Sequence, residues 1–299
     1  MTLVFAHIGF TQSAGAKREL QRLKFCFTTN IFNQIGANDA RASMKSWGQA
    51  VAGEIGSNLD VQTQTVDDAE SLAKKFRNKE VEGGIMPIDD FFRVESTAPF
   101  GKLLITETQG GHTDQYVLLV HAESNARKLA DLKGARINRL NTYRMCLADD
   151  WINGILAEQV ATPANKFFDS VVPCPKLSRA VLPVFFQQVD ACVVTVSGFN
   201  TMAELNPQIG RQLRTLATSE PLVTAALLLR KDNPNNLNQS AIRALERMHL
   251  TPSGQQILTL FQSDRIRRHP LSALDTARKI ANKRIQLRRA SHGGASIAP

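Results

Sequence analysis

Apolar and polar positions along the chain switch repeatedly between a period of two and a period near 3.6. "LKFCFT" (Leu23–Thr28) predicts a strand, and a helical pattern runs from about Ala42 to Ile55. "LDVQTQ" (Leu59–Gln64) follows with strict alternation, then a helical pattern near Val66–Asn78 and a strand at Gly84–Ile88. That βαβαβ order predicts a parallel, doubly wound sheet.

Strands are then predicted at Lys102–Glu107 and Gln115–His121, either side of Gly110-Gly111. The passage reads as a crossover between two lobes or as a plain hairpin. A second αβ series begins with "ARINRL", a helix over roughly Tyr143–Glu158 and the strand "FDSVVPC". "LSRAVLPVFFQQ" continues as helix, and "VDACVVTV" (Val189–Val196) is apolar enough for a strand buried on both faces. "QLRTLATSE" and "VTAALLLRKD" predict two returning strands, followed by helices at about Asn238–Met248 and Pro252–Phe261. Thr251-Pro252 gives the last of these a cap and a first-turn proline.

The pattern therefore predicts two α/β lobes, each a doubly wound, mostly parallel sheet, joined by two crossover strands. Residues 17–112 and 214–270 form a discontinuous first lobe, 113–213 the second, and 271–299 a basic tail. "LVFAHIGF" followed by Ala14-Gly15-Ala16 and Lys17 resembles the end of a signal peptide without its charged start. Residues 1–16 read as a remnant of such a signal on an exported chain, or as an ordinary apolar N-terminus.

Length and composition agree with two lobes: 299 residues, 43% of them hydrophobic, suffice for sizeable cores. No run of eighteen apolar residues occurs, so no membrane span is expected. The net charge of +9 raises the question of nucleic acid. From Asp264 to Ala290, however, nine Lys/Arg stand against two Asp, which is +7 of the +9. The body is nearly neutral and no nucleic-acid-binding motif accompanies the tail, so no nucleic-acid partner is expected. Cys26, Cys146, Cys174 and Cys192 are widely spaced, and the six histidines form no H-x-x-x-H pair, so neither metal nor cofactor is expected. A Cys174–Cys192 disulfide is conceivable because both flank the second lobe.

Local chemistry concentrates in "LADLKGARINRLNTYRMC" (Leu129–Cys146), a one-turn helix with a glycine stop, a strand, and Asn-Thr-Tyr-Arg leading into a helix. Asn141 and Thr142 suit helix capping or ligand binding. Arg144 places a cation in a first helical turn, against the dipole, which makes sense if an anion is held there by its guanidinium fork. Tyr143 can stack on a ligand or pack beneath the sheet edge. Ser178 and Arg179 repeat the hydroxyl-plus-guanidinium pairing at the next helix start.

Two stretches carry a family resemblance. "SNARKLADLKGARINRL" resembles the DLKG element of type II periplasmic substrate-binding proteins, and "VLPVFFQQVDACVVTVSGFNTMAELNP" resembles their VDA element. "LLLRKDNP…ALERMHLTPSGQQILTLF" is similar to their closing helices. The phosphonate/phosphite/phosphate-binding branch of ABC importers is nearest. The resemblance covers roughly Leu23 to Phe261 and implies a ligand trapped between lobes by hinge closure. It implies contacts from Thr29 and Asn30 in the first loop and from Thr195 at the end of the VDA strand. Asp89, after "GGIMPI", ends a strand where open α/β sheets hold ligands, or caps the next helix. Ser178-Arg179 stands where family members that bind aminoalkyl phosphonates carry acidic residues, which argues against an amine-bearing ligand.

The expected function is capture of a small oxyanion for an ABC permease, by a monomeric periplasmic receptor that is not an enzyme. The alternatives are a ligand-sensing module acting on a sensor kinase or other partner protein, and an enzyme on this fold. The scattered cysteines, and the lack of a nucleophile beside His112 or His121, argue against the enzyme.

Overall fold

A computed structural model describes residues 21–283, apart from 34–35, 56–58 and 109. The signal-like residues 1–16 and the tail beyond 283 lie outside the described residues.

The first sheet is built from β1 (Gln21–Thr28), β2 (Leu59–Val66) and β3 (Gly83–Pro87), which run parallel, with β1 in the middle of the three. Helices α1 (Ala37–Ile55), α2 (Ala69–Arg77) and α3 (Ile88–Val94) follow these strands in turn. The Asp68 carboxylate caps α2 by accepting from the Ser71 N–H at 2.7 Å, so the helix starts later than its apolar pattern suggests. β4 (Phe100–Glu107) completes this pass at the far side of the sheet.

The second sheet follows the same plan. β6 (Arg136–Leu140) lies parallel between β7 (Ser170–Cys174) and β8 (Ala191–Thr195), and β5 (Tyr116–His121) runs antiparallel between β8 and β9 (Leu213–Thr218). Its helices are α4 (Ala148–Gln159), α5 (Ala164–Phe167), α6 (Leu177–Phe185), α7 (Val196–Leu205) and α8 (Pro207–Gln212). Residues 191–195 of β8 are all buried, as the apolar run predicts. The turn Leu129–Leu132 stops at Gly134, whose φ of +74° is left-handed and suits glycine.

The chain returns through β10 (Ala225–Arg230), α9 (Asn235–Arg247), α10 (Pro252–Leu260) and β11 (Arg265–His269). β10 inserts antiparallel between β3 and β4, and β11 pairs antiparallel outside β4. Both sheets are thus mixed: parallel where βαβ units build them, antiparallel where the crossing strands join. Thr251 caps α10 as its sequence predicts, accepting from the Gly254 N–H at 3.3 Å.

The two crossings lie side by side. Asp114 and Leu222 exchange backbone hydrogen bonds of 3.0 and 2.8 Å, so the two crossings pair at that point as a two-stranded hinge. The sequence division at 213/214 is corrected here, because β9 pairs along β5 and belongs to the second sheet.

The basic tail also needs correction. Residues 271–283 pack a turn and a helix on the body, burying Leu274, Ala277, Ile280 and Ala281. Arg278 pairs with Glu95 just after α3 and lies 4.6 Å from the Phe92 ring centroid. Lys283 pairs with Glu158 of α4, so this helix touches both lobes. β11 escaped the apolar pattern because Arg265, Arg267 and Arg268 surround its one buried aliphatic, Ile266.

Phe25, Phe27 and Trp47 anchor the first core, with Phe25 and Trp47 edge to face at 4.7 Å. The four cysteines are free thiols. Cys174 and Cys192 lie on β7 and β8, which β6 separates. Two inter-strand steps amount to roughly 9.5 Å, beyond the reach of a disulfide. Among the described residues no helix is long and apolar enough to cross a membrane.

Candidate functional site

A cavity of about 690 Å³ opens where the lobes meet. The end of β4 and the first crossing supply Thr106, Thr108, His112 and Asp114. The start of α7 supplies Ser197, Gly198 and Thr201, and Arg144, Thr224, Gln262 and Asp264 complete the wall. That size suits a small solute.

The start of α7 sets the local electrostatics. Thr195 caps it by accepting from the Gly198 N–H at 3.1 Å, which places Ser197 at the wall. Asp114 reaches this helix end from the hinge: its carboxylate accepts from the Ser197 N–H at 3.3 Å and from the Ser197 hydroxyl. A carboxylate thus sits where a helix N-terminus favours negative charge. Glu204 and Asp264 also line the cavity, so its lining holds three acidic residues beside Arg144.

The Asn-Thr-Tyr-Arg stretch forms a turn, Tyr143–Met145, that docks on the first lobe. The Tyr143 ring packs against the first core, near Ile31 and Phe261. Arg144 donates from Nη2 to the carbonyls of Phe261, at 2.8 Å, and Gln262, at 3.1 Å. Those carbonyls terminate α10, the negative end of its dipole. Arg144 thus lies in the turn before α4, not in that helix's first turn as the sequence suggested; it is matched to the end of α10 and bridges the lobes at the edge of the cavity. Tyr116, fully buried, holds this turn: its hydroxyl donates to the Arg144 carbonyl at 3.0 Å and accepts from the Leu147 N–H at 3.2 Å. Burial pushes the Tyr116 phenol well up, so it stays a donor.

Thr142 occupies the cap position of this turn, but its hydroxyl makes no capping bond. Its Oγ1 is buried without a hydrogen-bond partner among the described residues. Capping alone therefore does not account for the hydroxyl.

The remaining sequence candidates lie apart from the cavity wall. The Asn30 amide is spent within the first lobe, donating to Asp90 at 2.6 Å and accepting from Thr28 at 2.6 Å. Thr29 donates to the Asp67 carbonyl at 3.4 Å. Asp89 begins α3 beside the Cys146 thiol, which burial and then the Asp89 charge push far up. Asn141 is exposed, its N–H donating to the Cys174 carbonyl. Ser178 and Arg179 are exposed at the start of α6, where Leu177 alone of that helix reaches the wall. Thr195 acts through its cap.

One group of possible metal ligands occurs among the described residues: Glu107 at the end of β4, His112 in the first crossing and His269 at the end of β11. Ligand spacing could not reveal it, because the three come from separate elements. Burial pushes the Glu107 carboxyl up, but hydrogen bonds from Arg265 and His269 outweigh this and hold it below the usual range. Burial, then the neighbouring His269, holds the His112 imidazole below its ordinary value.

Among proteins with curated functions, no sequence match was found. Solved structures match closely in shape at low identity. A Xanthomonas citri protein solved with ATP bound shares 14% identity at a TM-score of 0.65, over 90% of this chain and 98% of that one. A Prochlorococcus marinus protein, PhnD1, in complex with methylphosphonate shares 12% at 0.61, over 89% and 98%. A binding-protein component of a Pseudomonas aeruginosa ABC phosphonate transporter shares 13% at 0.60, over 88% and 86%. Such identities establish the fold alone. At the level of family, residues 34–272 match the sequence pattern of "ABC transporter, phosphonate, periplasmic substrate-binding protein", and the chain belongs to that family.

Proposed function

We propose that the protein is the solute receptor of an ABC importer, working in the periplasm and holding a small oxyanion between its lobes for delivery to the permease. The observation that carries this reading is the cavity at the hinge, walled by hydroxyls and the start of α7 on one side and by the Arg144 bridge on another. Hydroxyl donors such as those of Thr106, Thr108 and Thr224 on the lining suit phosphonate or phosphate oxygens. Closure about the crossings paired at Asp114 and Leu222 traps the solute without covalent chemistry.

The wall also revises the ligand class. An amine-bearing solute looked unsuited from Ser178 and Arg179, yet Asp114, Glu204 and Asp264 line the cavity from other segments. Three carboxylates repel a bare dianion and attract an ammonium group. An oxyanion carrying an amine, of the aminoalkyl phosphonate class, therefore fits better than inorganic phosphate.

A thermal-shift series with 2-aminoethylphosphonate, methylphosphonate, phosphite and phosphate tests the proposal. A bound ligand at a hundredfold its Kd stabilises by about 2.7 kcal/mol. The amine-bearing compound is expected to shift Tm most. No shift with any member would remove the oxyanion reading, and a shift with phosphate alone would remove the amine.

A further inference from the structure

We propose that Glu107, His112 and His269 form a binding site for a divalent transition-metal ion of the zinc class, set in the hinge beside the cavity. Their donor atoms all lie within 4.8 Å of one another. Three independent elements bring them together, and each is held by its own backbone pairing.

Glu107 is the last residue of β4, in register with Arg265 of β11. The Arg265 Nε donates to Glu107 Oε2 at 2.6 Å, while Oε1 faces His269 Nε2 at 2.8 Å. One carboxylate oxygen is thus anchored and the other directed at the cluster. Such an outer partner orients a ligating carboxylate. His269 ends β11 opposite Leu103 of β4. His112 follows a tight turn in which Thr108 and Gly111 exchange backbone hydrogen bonds of 2.9 and 3.0 Å. Gly111 has a φ of +107°, a left-handed value that favours glycine there. The turn sets the His112 ring 4.3 Å from the His269 ring, centroid to centroid.

Two imidazoles and one carboxylate form a donor set suited to zinc, copper, nickel or cobalt, and poorly suited to magnesium or calcium. A zinc ion at about 2.0–2.1 Å from each donor needs the donors roughly 3.3 Å apart. The Glu107–His269 contact opens slightly and the wider separations close by side-chain rotation. Three protein ligands leave a fourth position for water or a solute oxygen.

His112 lines the cavity, so the ion stands at its wall. That location supplies positive charge where carboxylates outnumber Arg144. This consequence rests on the oxyanion reading above; the metal site itself does not.

The test is isothermal titration of the tag-free full chain with Zn²⁺, repeated with His112→Asn and His269→Asn, and Co²⁺ absorption spectra of all three. The wild type is expected to bind one ion, released by a chelator, with a Co²⁺ spectrum of a low-coordinate site. Each variant is expected to bind at least about 10- to 100-fold more weakly, by comparison with losses caused by outer-shell changes alone. Circular dichroism identifies any variant that misfolds, and the wild-type Co²⁺ spectrum then decides. No binding by the wild type, or equal binding by folded variants, overturns the site. A final arm repeats the oxyanion series with and without Zn²⁺. Metal binding that leaves oxyanion affinity unchanged removes only the role in solute capture.

Discussion

Replacing Arg144 with alanine tests the bridge between the lobes. The substitution deletes the donations from Nη2 to the Phe261 and Gln262 carbonyls, at 2.8 and 3.1 Å. Hydrogen bonds from a charged donor contribute roughly 1.5–3 kcal/mol each. Arg144 is only half-buried, so screening lowers the pair to about 1–3 kcal/mol in total. The freed carbonyls can meet water once the lobes part, so the loss falls on closure and spares the fold of each lobe. A change of about 1–3 kcal/mol shifts the closed-to-open ratio by roughly 5- to 150-fold. Small-angle scattering should show a larger mean radius of gyration for Arg144→Ala than for wild type. Arg144→Lys retains the charge but loses the planar geometry, and should fall between them. A folded Arg144→Ala variant with an unchanged scattering profile would refute the bridge.

Other consequences are open to direct measurement. Tyr116→Phe strands the buried Leu147 N–H and should cost about 1–3 kcal/mol in denaturant unfolding, with an unaltered m-value. Truncation after Pro270 removes the buried Leu274 and Ile280, worth about 1.5–3 kcal/mol each, so the shortened chain should melt well below wild type. Equal melting would contradict the packing of residues 271–283 on the body. Burial raises the Cys26 thiol to about 12 and the Cys192 thiol higher, so both remain protonated up to pH 9. Neither should react with a thiol reagent until the chain unfolds, and rapid labelling of either in the native state would contradict their burial.

The fold was largely legible because its strands either alternate or run apolar throughout. "LDVQTQ" shows β2 by its period, and "VDACVVTV" shows β8 by its uniform apolarity. The cavity was far less legible. α7 packs only Val196, Phe199 and Met202, partly buried, against the core, and that stripe marks the helix without marking Ser197, Gly198 and Thr201 as cavity residues. Asp114 lies in the crossing after Gly110-Gly111, and Asp264 just beyond the predicted helix Pro252–Phe261, where no pattern marks either. The Glu107–His269 contact joins residues 162 positions apart, which no local spacing can report. Arg144 was read as a first-turn cation of the following helix, but it lies in the short turn before that helix begins at Ala148. Its partner is the end of α10, a tertiary contact that no local pattern discloses.

The proposed function requires that a small oxyanion bind in the interlobe cavity. Isothermal titration with 2-aminoethylphosphonate tests it most directly, on wild type and on Thr201→Trp, a substitution at an exposed position of the cavity wall. Saturable one-to-one binding by the wild type, and its loss in the folded Thr201→Trp variant, are expected. Binding that persists unchanged when the wall is blocked, or no binding of any oxyanion by the wild type, would contradict the proposal.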